Sequence, residues 1–120
     1  MGIINLTPDS FFAGSRKIGE EAVLATAAQM LEDGAAILDL GGMSSRPGAE
    51  TISVEEELQR VTSPIQAIKT RFPKAIISID TVHSRVAQEA VAAGAAIVND
   101  ISAGSMDEDM YATVAELRVP

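Results

Sequence analysis

The sequence has no cysteine and no tryptophan, and only one histidine, one tyrosine and three phenylalanines in 120 residues. Without cysteine, neither a disulfide scaffold nor a zinc–thiolate centre can be built, and a lone histidine excludes a histidine metal cluster. Aromatic residues at 3% leave no stacking platform for single-stranded nucleic acid. Cations are scarce too: 9 Lys and Arg against 17 Asp and Glu give a formal net charge of -8. Such a field repels nucleic acid and anionic membrane, so neither is expected as a partner. No apolar run approaches the ~18 residues of a membrane span, and no signal-peptide pattern precedes the first strand-like segment. A cytoplasmic protein is expected. A small anionic ligand stays compatible with this charge if an arginine, a helix N-terminus or a metal ion meets it locally.

What the chain does have is a core: 47% of its residues are apolar and 22% charged, enough for one small domain or part of a larger one. Short β-branched runs at 2–6, 36–40, 75–80 and 96–100 alternate with amphipathic stretches at 19–33, 53–72, 84–93 and 107–117. The runs are apolar on both faces, as parallel strands covered by helices should be. Ser53 followed by Glu56 fits a capping box, and Gly34 and Gly94 stand where helix ends need a left-handed residue. Val119-Pro120 reads as the opening of a fifth strand. A faint repeat, Gly34-Ala35-Ala36-Ile37-Leu38-Asp39 against Gly94-Ala95-Ala96-Ile97-Val98-Asn99, recurs at an offset of 60 residues, the length of two βα units. The pattern predicts an α/β chain of four βα units, the N-terminal half of a (β/α)8 TIM barrel, with an open flavodoxin-like sheet as the competing architecture.

Polar residues gather at the strand ends: Asn5, Asp39, Asp80, and Asn99 with Asp100. In a parallel sheet these ends share one face, where such folds bind ligands. The plainer account, that Asp and Asn shape turns, covers any one of them better than all together. The long 5–17 loop carries small hydrogen-bonding residues, Phe11, Phe12 and two cations, a composition suited to a lid. The loop 41–49 combines glycines with Arg46, which can grip a phosphate or carboxylate through two parallel bonds. It lacks the Lys-Ser/Thr ending of a Walker A loop. His83 reads as a helix-start residue, and Glu55, Glu56 and Glu57 as a solvated first turn favoured by the helix dipole.

Four segments together carry a resemblance. Met1-Gly2-Ile3-Ile4-Asn5-Leu6-Thr7-Pro8-Asp9-Ser10-Phe11, then GGMSSRPGAE at 41–50, SIDT at 78–81 and NDISAG at 99–104 resemble the dihydropteroate synthase family, in order and from end to end. The first two are specific; the last two are shared with pterin-binding methyltransferase domains. The resemblance implies a TIM barrel of folate biosynthesis, a sulfonamide target. It implies joining of (7,8-dihydropterin-6-yl)methyl diphosphate to 4-aminobenzoate, with release of pyrophosphate. Carried over by motif, Asn5 would ligate Mg2+, and Asp80 and Asn99 would hydrogen-bond the pterin. Arg46 would meet anionic substrate oxygen, with Asp80 and Arg46 as the catalytic pair, and Thr7, Pro8 and Ser45 would complete substrate binding. A homodimer is expected of a complete chain.

Departures from the family pattern are Ser45 for threonine, Met43 for a frequent glutamate, Ala13 for a loop aspartate and Ala103 for a common glycine. Further pterin and substrate contacts of the family come from later strands, beyond Pro120, and a segment before Met1 is expected. On this reading 1–120 is a partial domain, inactive alone. The alternatives are a methyltetrahydrofolate-binding methyltransferase domain or a non-catalytic pterin-binding module.

Overall fold

The structure, a computed structural model, describes residues 1–6, 16–42 and 52–120, with backbone alone for 16–18. Among these, strands β1 (Gly2–Asn5), β2 (Leu38–Gly41), β3 (Ile77–Asp80) and β4 (Ile97–Asn99) alternate with helices α1 (Arg16–Glu32), α2 (Val54–Arg71), α3 (Ser84–Ala93) and α4 (Met110–Leu117). The strands form one parallel sheet in the order β1-β2-β3-β4. Sequential order decides between the two architectures expected from the pattern. A flavodoxin-like sheet reverses direction at a switch point, whereas each strand here adds to the same side of its predecessor, as in a barrel.

The stagger agrees. Following the register from Asp39 through Ser78 leads to Ile97, two residues short of Asn99, the repeat equivalent of Asp39. The sheet slips one residue per strand. Over eight strands that slip gives the shear of about 8 that closes a TIM barrel.

One face of the sheet is the core. Ile4, Leu38, Leu40, Ile77 and Ile79 are all at most 1% exposed and pack on Val23 and Ala27 of α1, Val61, Ile65 and Ile68 of α2, and Val86 and Ala90 of α3. The other face is more polar than strands apolar on both sides would make it: Ile3, Asn5, Asp39, Ser78, Asp80, Ile97 and Asn99 alternate with the core set. α2 continues through buried Pro64. Proline in a helix interior costs about 3 kcal/mol, here offset by burial of its neighbours Val61, Ile65 and Ile68.

Helix ends follow the local chemistry with two differences. Ser53 Oγ accepts from Glu56 N at 3.2 Å, while the Glu56 carboxylate goes to Arg60 at 3.4 Å, so the hydroxyl half of the capping box forms. α4 starts at Met110 and not at 107, because Asp107 is engaged elsewhere: its carboxylate accepts from Ser84 N at 2.7 Å and from Asp109 N at 3.0 Å, capping α3. Gly94 has φ 133°, and a Cβ there would lie 2.6 Å from Lys69 Cγ, so both backbone and space require glycine. Beyond α4, Pro120 C=O accepts from Val98 N at 2.9 Å, along the free edge of β4 where a fifth strand is expected. Among the described residues no helix is long and apolar enough to cross a membrane.

Candidate active site

The register sets two rows across the polar face. The lower is Ile3, Asp39, Ser78 and Ile97; the upper, at the C-terminal rim, is Asn5, Gly41, Asp80 and Asn99. Three of the residues expected at the site therefore share one row, because each is the last residue, or the last side chain, of a strand pointing the same way. Gly41 fills the place between Asn5 and Asp80 with no side chain. A Cβ there would stand 3.3 Å from Asp80 Cβ and 3.5 Å from its Oδ2, so glycine keeps the space around that carboxyl open.

Asp80 is the electrostatic centre of the row. Burial pushes its carboxyl up from an ordinary 3.8 to about 6, reinforced by the negative charges of Asp39, Glu57 and Asp100. An acid that changes charge near neutrality at a strand end is a site candidate. Asn99 donates from Nδ2 to Asp39 Oδ2 at 3.3 Å, and its backbone carbonyl accepts from Thr81 N at 3.2 Å. Asp39 is 3% exposed, and its Oδ1 has no hydrogen-bond partner among the described residues. Asp100 turns away into its own loop. It accepts from Ser102 N at 2.8 Å, Ser102 Oγ at 2.6 Å and Gly104 N at 2.9 Å. Within that loop Ala103 adopts φ 51°, a left-handed conformation that costs a non-glycine residue about 1 kcal/mol, where the family pattern has a glycine.

Behind the row lies a polar cluster built on Glu57, the one of its residues that was expected to be solvated. Glu57, read as part of a solvated turn, is fully buried. Its Oε2 accepts from Thr81 Oγ1 at 2.6 Å, and its Oε1 lies 3.0 Å from His83 Nδ1. With a carboxylate as acceptor, that ring nitrogen carries the proton. Thr81 Oγ1 in turn accepts from His83 N at 3.1 Å, and Arg60 Nη1 donates to Gly42 C=O at 2.8 Å. α2 thus holds the chain just after β2 and just after β3. The signal was present: Glu57, Val61, Pro64, Ile65 and Ile68 are the buried residues of α2 and follow the helical i, i+4, i+7, i+8, i+11 stripe. Of the three consecutive glutamates, Glu55 and Glu56 lie on the solvated side.

Thr7, Pro8, Ser45 and Arg46, together with Phe11, Phe12, Ala13 and Met43, fall outside the described residues. As for a metal ion, no group of three His, Asp or Glu residues that could cage one occurs among the described residues. Asn5 is exposed at the end of β1 and offers one hard amide oxygen. Such a donor fits Mg2+, which keeps several waters and takes its remaining ligands from phosphate oxygens.

A barrel-type parallel sheet with polar and acidic side chains gathered at the C-terminal ends of its strands has the frame of a ligand-binding α/β barrel protein. The family model described as pterin binding enzyme matches residues 1–120; the chain belongs to that family. Within it, the chain is similar to dihydropteroate synthases. It is 47% identical over 120 residues to the dihydropteroate synthase of Bacillus subtilis (strain 168), covering 100% of this chain and 42% of that protein. It is 48% identical over 120 residues to the folic acid synthesis protein fol1 of Schizosaccharomyces pombe, covering 100% of this chain and 16% of that protein. A solved structure of Xanthomonas albilineans dihydropteroate synthase with 4-aminobenzoic acid superposes with a TM-score of 0.91 at 43% identity, covering 100% of this chain and 43% of that one. The chain therefore spans less than half the length of these relatives and corresponds to the first four βα units of their TIM barrel.

Proposed function

We propose that these residues form the N-terminal half of a dihydropteroate synthase acting in the cytoplasm. The enzyme joins (7,8-dihydropterin-6-yl)methyl diphosphate to 4-aminobenzoate and releases pyrophosphate. The observation that carries this reading is the single row Asn5–Gly41–Asp80–Asn99, set in a chain whose full length matches the pterin-binding family.

In the reaction the bond between the exocyclic methylene carbon and the diphosphate oxygen breaks, and a bond from the arylamine nitrogen forms. The amine then loses a proton. Positive charge develops on the pterin methylene as the diphosphate leaves, and the negative charges near Asp80 would oppose it, the more so once bound substrate excludes water. Asp80 and Asn99 would accept hydrogen bonds from the pterin's N–H groups and fix its plane. Thr7 and Pro8 would approach the diphosphate through the first loop. Arg46 would grip an anionic oxygen of the substrates, with Ser45 beside it toward the aminobenzoate. Asn5 would hold Mg2+, which when bound supplies charge neutralisation to the departing diphosphate. The remaining contacts and a homodimer interface would come from the later strands of a complete barrel.

The test is pyrophosphate release from the dihydropterin diphosphate by the longest natural chain containing these residues, with and without 4-aminobenzoate and Mg2+. Release that requires both supports the synthase. A folded full-length barrel that binds pterin without Mg2+ dependence and releases no pyrophosphate would favour the methyltransferase or binding-module reading instead.

A further inference from the structure

Asp39 is a charged residue of the polar face to which the proposed reaction gives no contact with substrate. It is nearly inaccessible, 3% exposed, in the middle of β2 and one row beneath Asp80 and Asn99. Gly41, two residues on and directed to the same side, leaves the space above it open. One of its oxygens accepts from Asn99 Nδ2; the other is buried without a partner among the described residues. A buried carboxylate oxygen left unmatched costs stability, and a sequence tuned for stability alone would place an apolar residue at this position, as β2 does at Leu38 and Leu40.

The contact with Asn99 has a directional consequence. A carboxamide carries a donor end and an acceptor end, and its two orientations differ little in energy on an open surface. An ionised carboxylate beneath it accepts only, so it selects the orientation with Nδ2 inward. Oδ1 is then the end left to a ligand. The repeat makes the pair possible. Asp39 and Asn99 are equivalent positions 60 residues apart, and the slip of one residue per strand brings them onto neighbouring rows across β3.

We propose that Asp39 is a positioning residue of the pterin site, locking the Asn99 amide so that its oxygen faces the ligand and the site takes N–H donors there. This rests on the reading of Asn99 as a pterin contact.

The experiment is a double-mutant cycle on the longest natural chain containing these residues, with 6-hydroxymethylpterin binding followed by calorimetry and folding checked by circular dichroism. Asn99→Ala should weaken binding about ten-fold, the scale of one hydrogen bond to a charged group, and Asp39→Ala about two- to three-fold, since a freed amide spends about half its time in the wrong orientation. Asp39→Ala/Asn99→Ala together should weaken it no more than Asn99→Ala alone, because Asp39 acts only through Asn99. Asp39→Asn can turn either amide end to Asn99, so it no longer selects an orientation; it should weaken binding as much as Asp39→Ala, a readout that also holds if Asp39→Ala fails to fold. Losses that multiply in the double variant would overturn the proposal. So would an Asp39→Asn variant that binds as tightly as the parent. If the parent binds but Asn99→Ala has no effect, the assignment of Asn99 fails, and this inference with it.

Discussion

At the scale of single residues, the site shows a conflict between stability and use. Asp80 is half-buried among the charges of Asp39, Glu57 and Asp100, and its folded pKa of about 6 lies above its ordinary 3.8. For an acid raised in this way the stabilising contribution is complete below about pH 4 and is lost as pH rises through about 6. Asp80→Asn should therefore make the chain more stable at pH 7, by about 1 kcal/mol once solvent screening of a half-exposed group is allowed for. The gain should vanish below about pH 4 in urea titrations run across that range, while pterin affinity falls. A variant no more stable than its parent at pH 7 would show that burial and the neighbouring charges do not raise Asp80. Glu57 behaves in the opposite sense. Both its oxygens are used, by Thr81 and His83, so Glu57→Ala leaves two polar groups without their acceptor. The expected loss is about 3 kcal/mol, read as a lower urea midpoint with an unchanged slope. Which glutamate of the three mattered was legible in the helical stripe of α2; which groups it would meet was not, since Thr81 and His83 are more than twenty residues away in the chain.

At the scale of elements, local signals predict well where they act within a few residues. Both glycine helix ends were readable and carry positive φ, at Gly34 and Gly94. Ser53 caps α2 through Glu56 N, and Ser53→Ala should cost about 1 kcal/mol, measurable as a fall in the melting temperature with no change in helix content at 25 °C. The start of α4 was missed because Asp107 caps α3 across 23 residues, a competition no local pattern contains. The same limit applies to Ala103: its departure from a glycine pattern was visible, its left-handed φ only in the fold.

For the molecule as a whole, β1 is the first strand of the sheet on one side, and among the described residues the bond from Val98 N to Pro120 C=O lies along the other. Open parallel edges are normally covered or closed, and the described part of the proposed site has Asn5, Asp80 and Asn99 lining one side. An isolated chain of residues 1–120 should therefore show no pyrophosphate release under conditions where the longest natural chain turns over. Sustained release from the mass-verified 120-residue protein would contradict the half-site reading. The sequence by itself determined the βα order, the Ser53 cap, the two glycine helix ends and the placement of Asn5, Asp80 and Asn99 at strand ends, because each follows from periodicity or from contacts a few residues apart. Only the tertiary structure decided the strand order, the one-residue slip, the burial of Glu57 and the pairing of Asp39 with Asn99. Those depend on which strands lie side by side and in what register, and register is set by packing across the whole sheet.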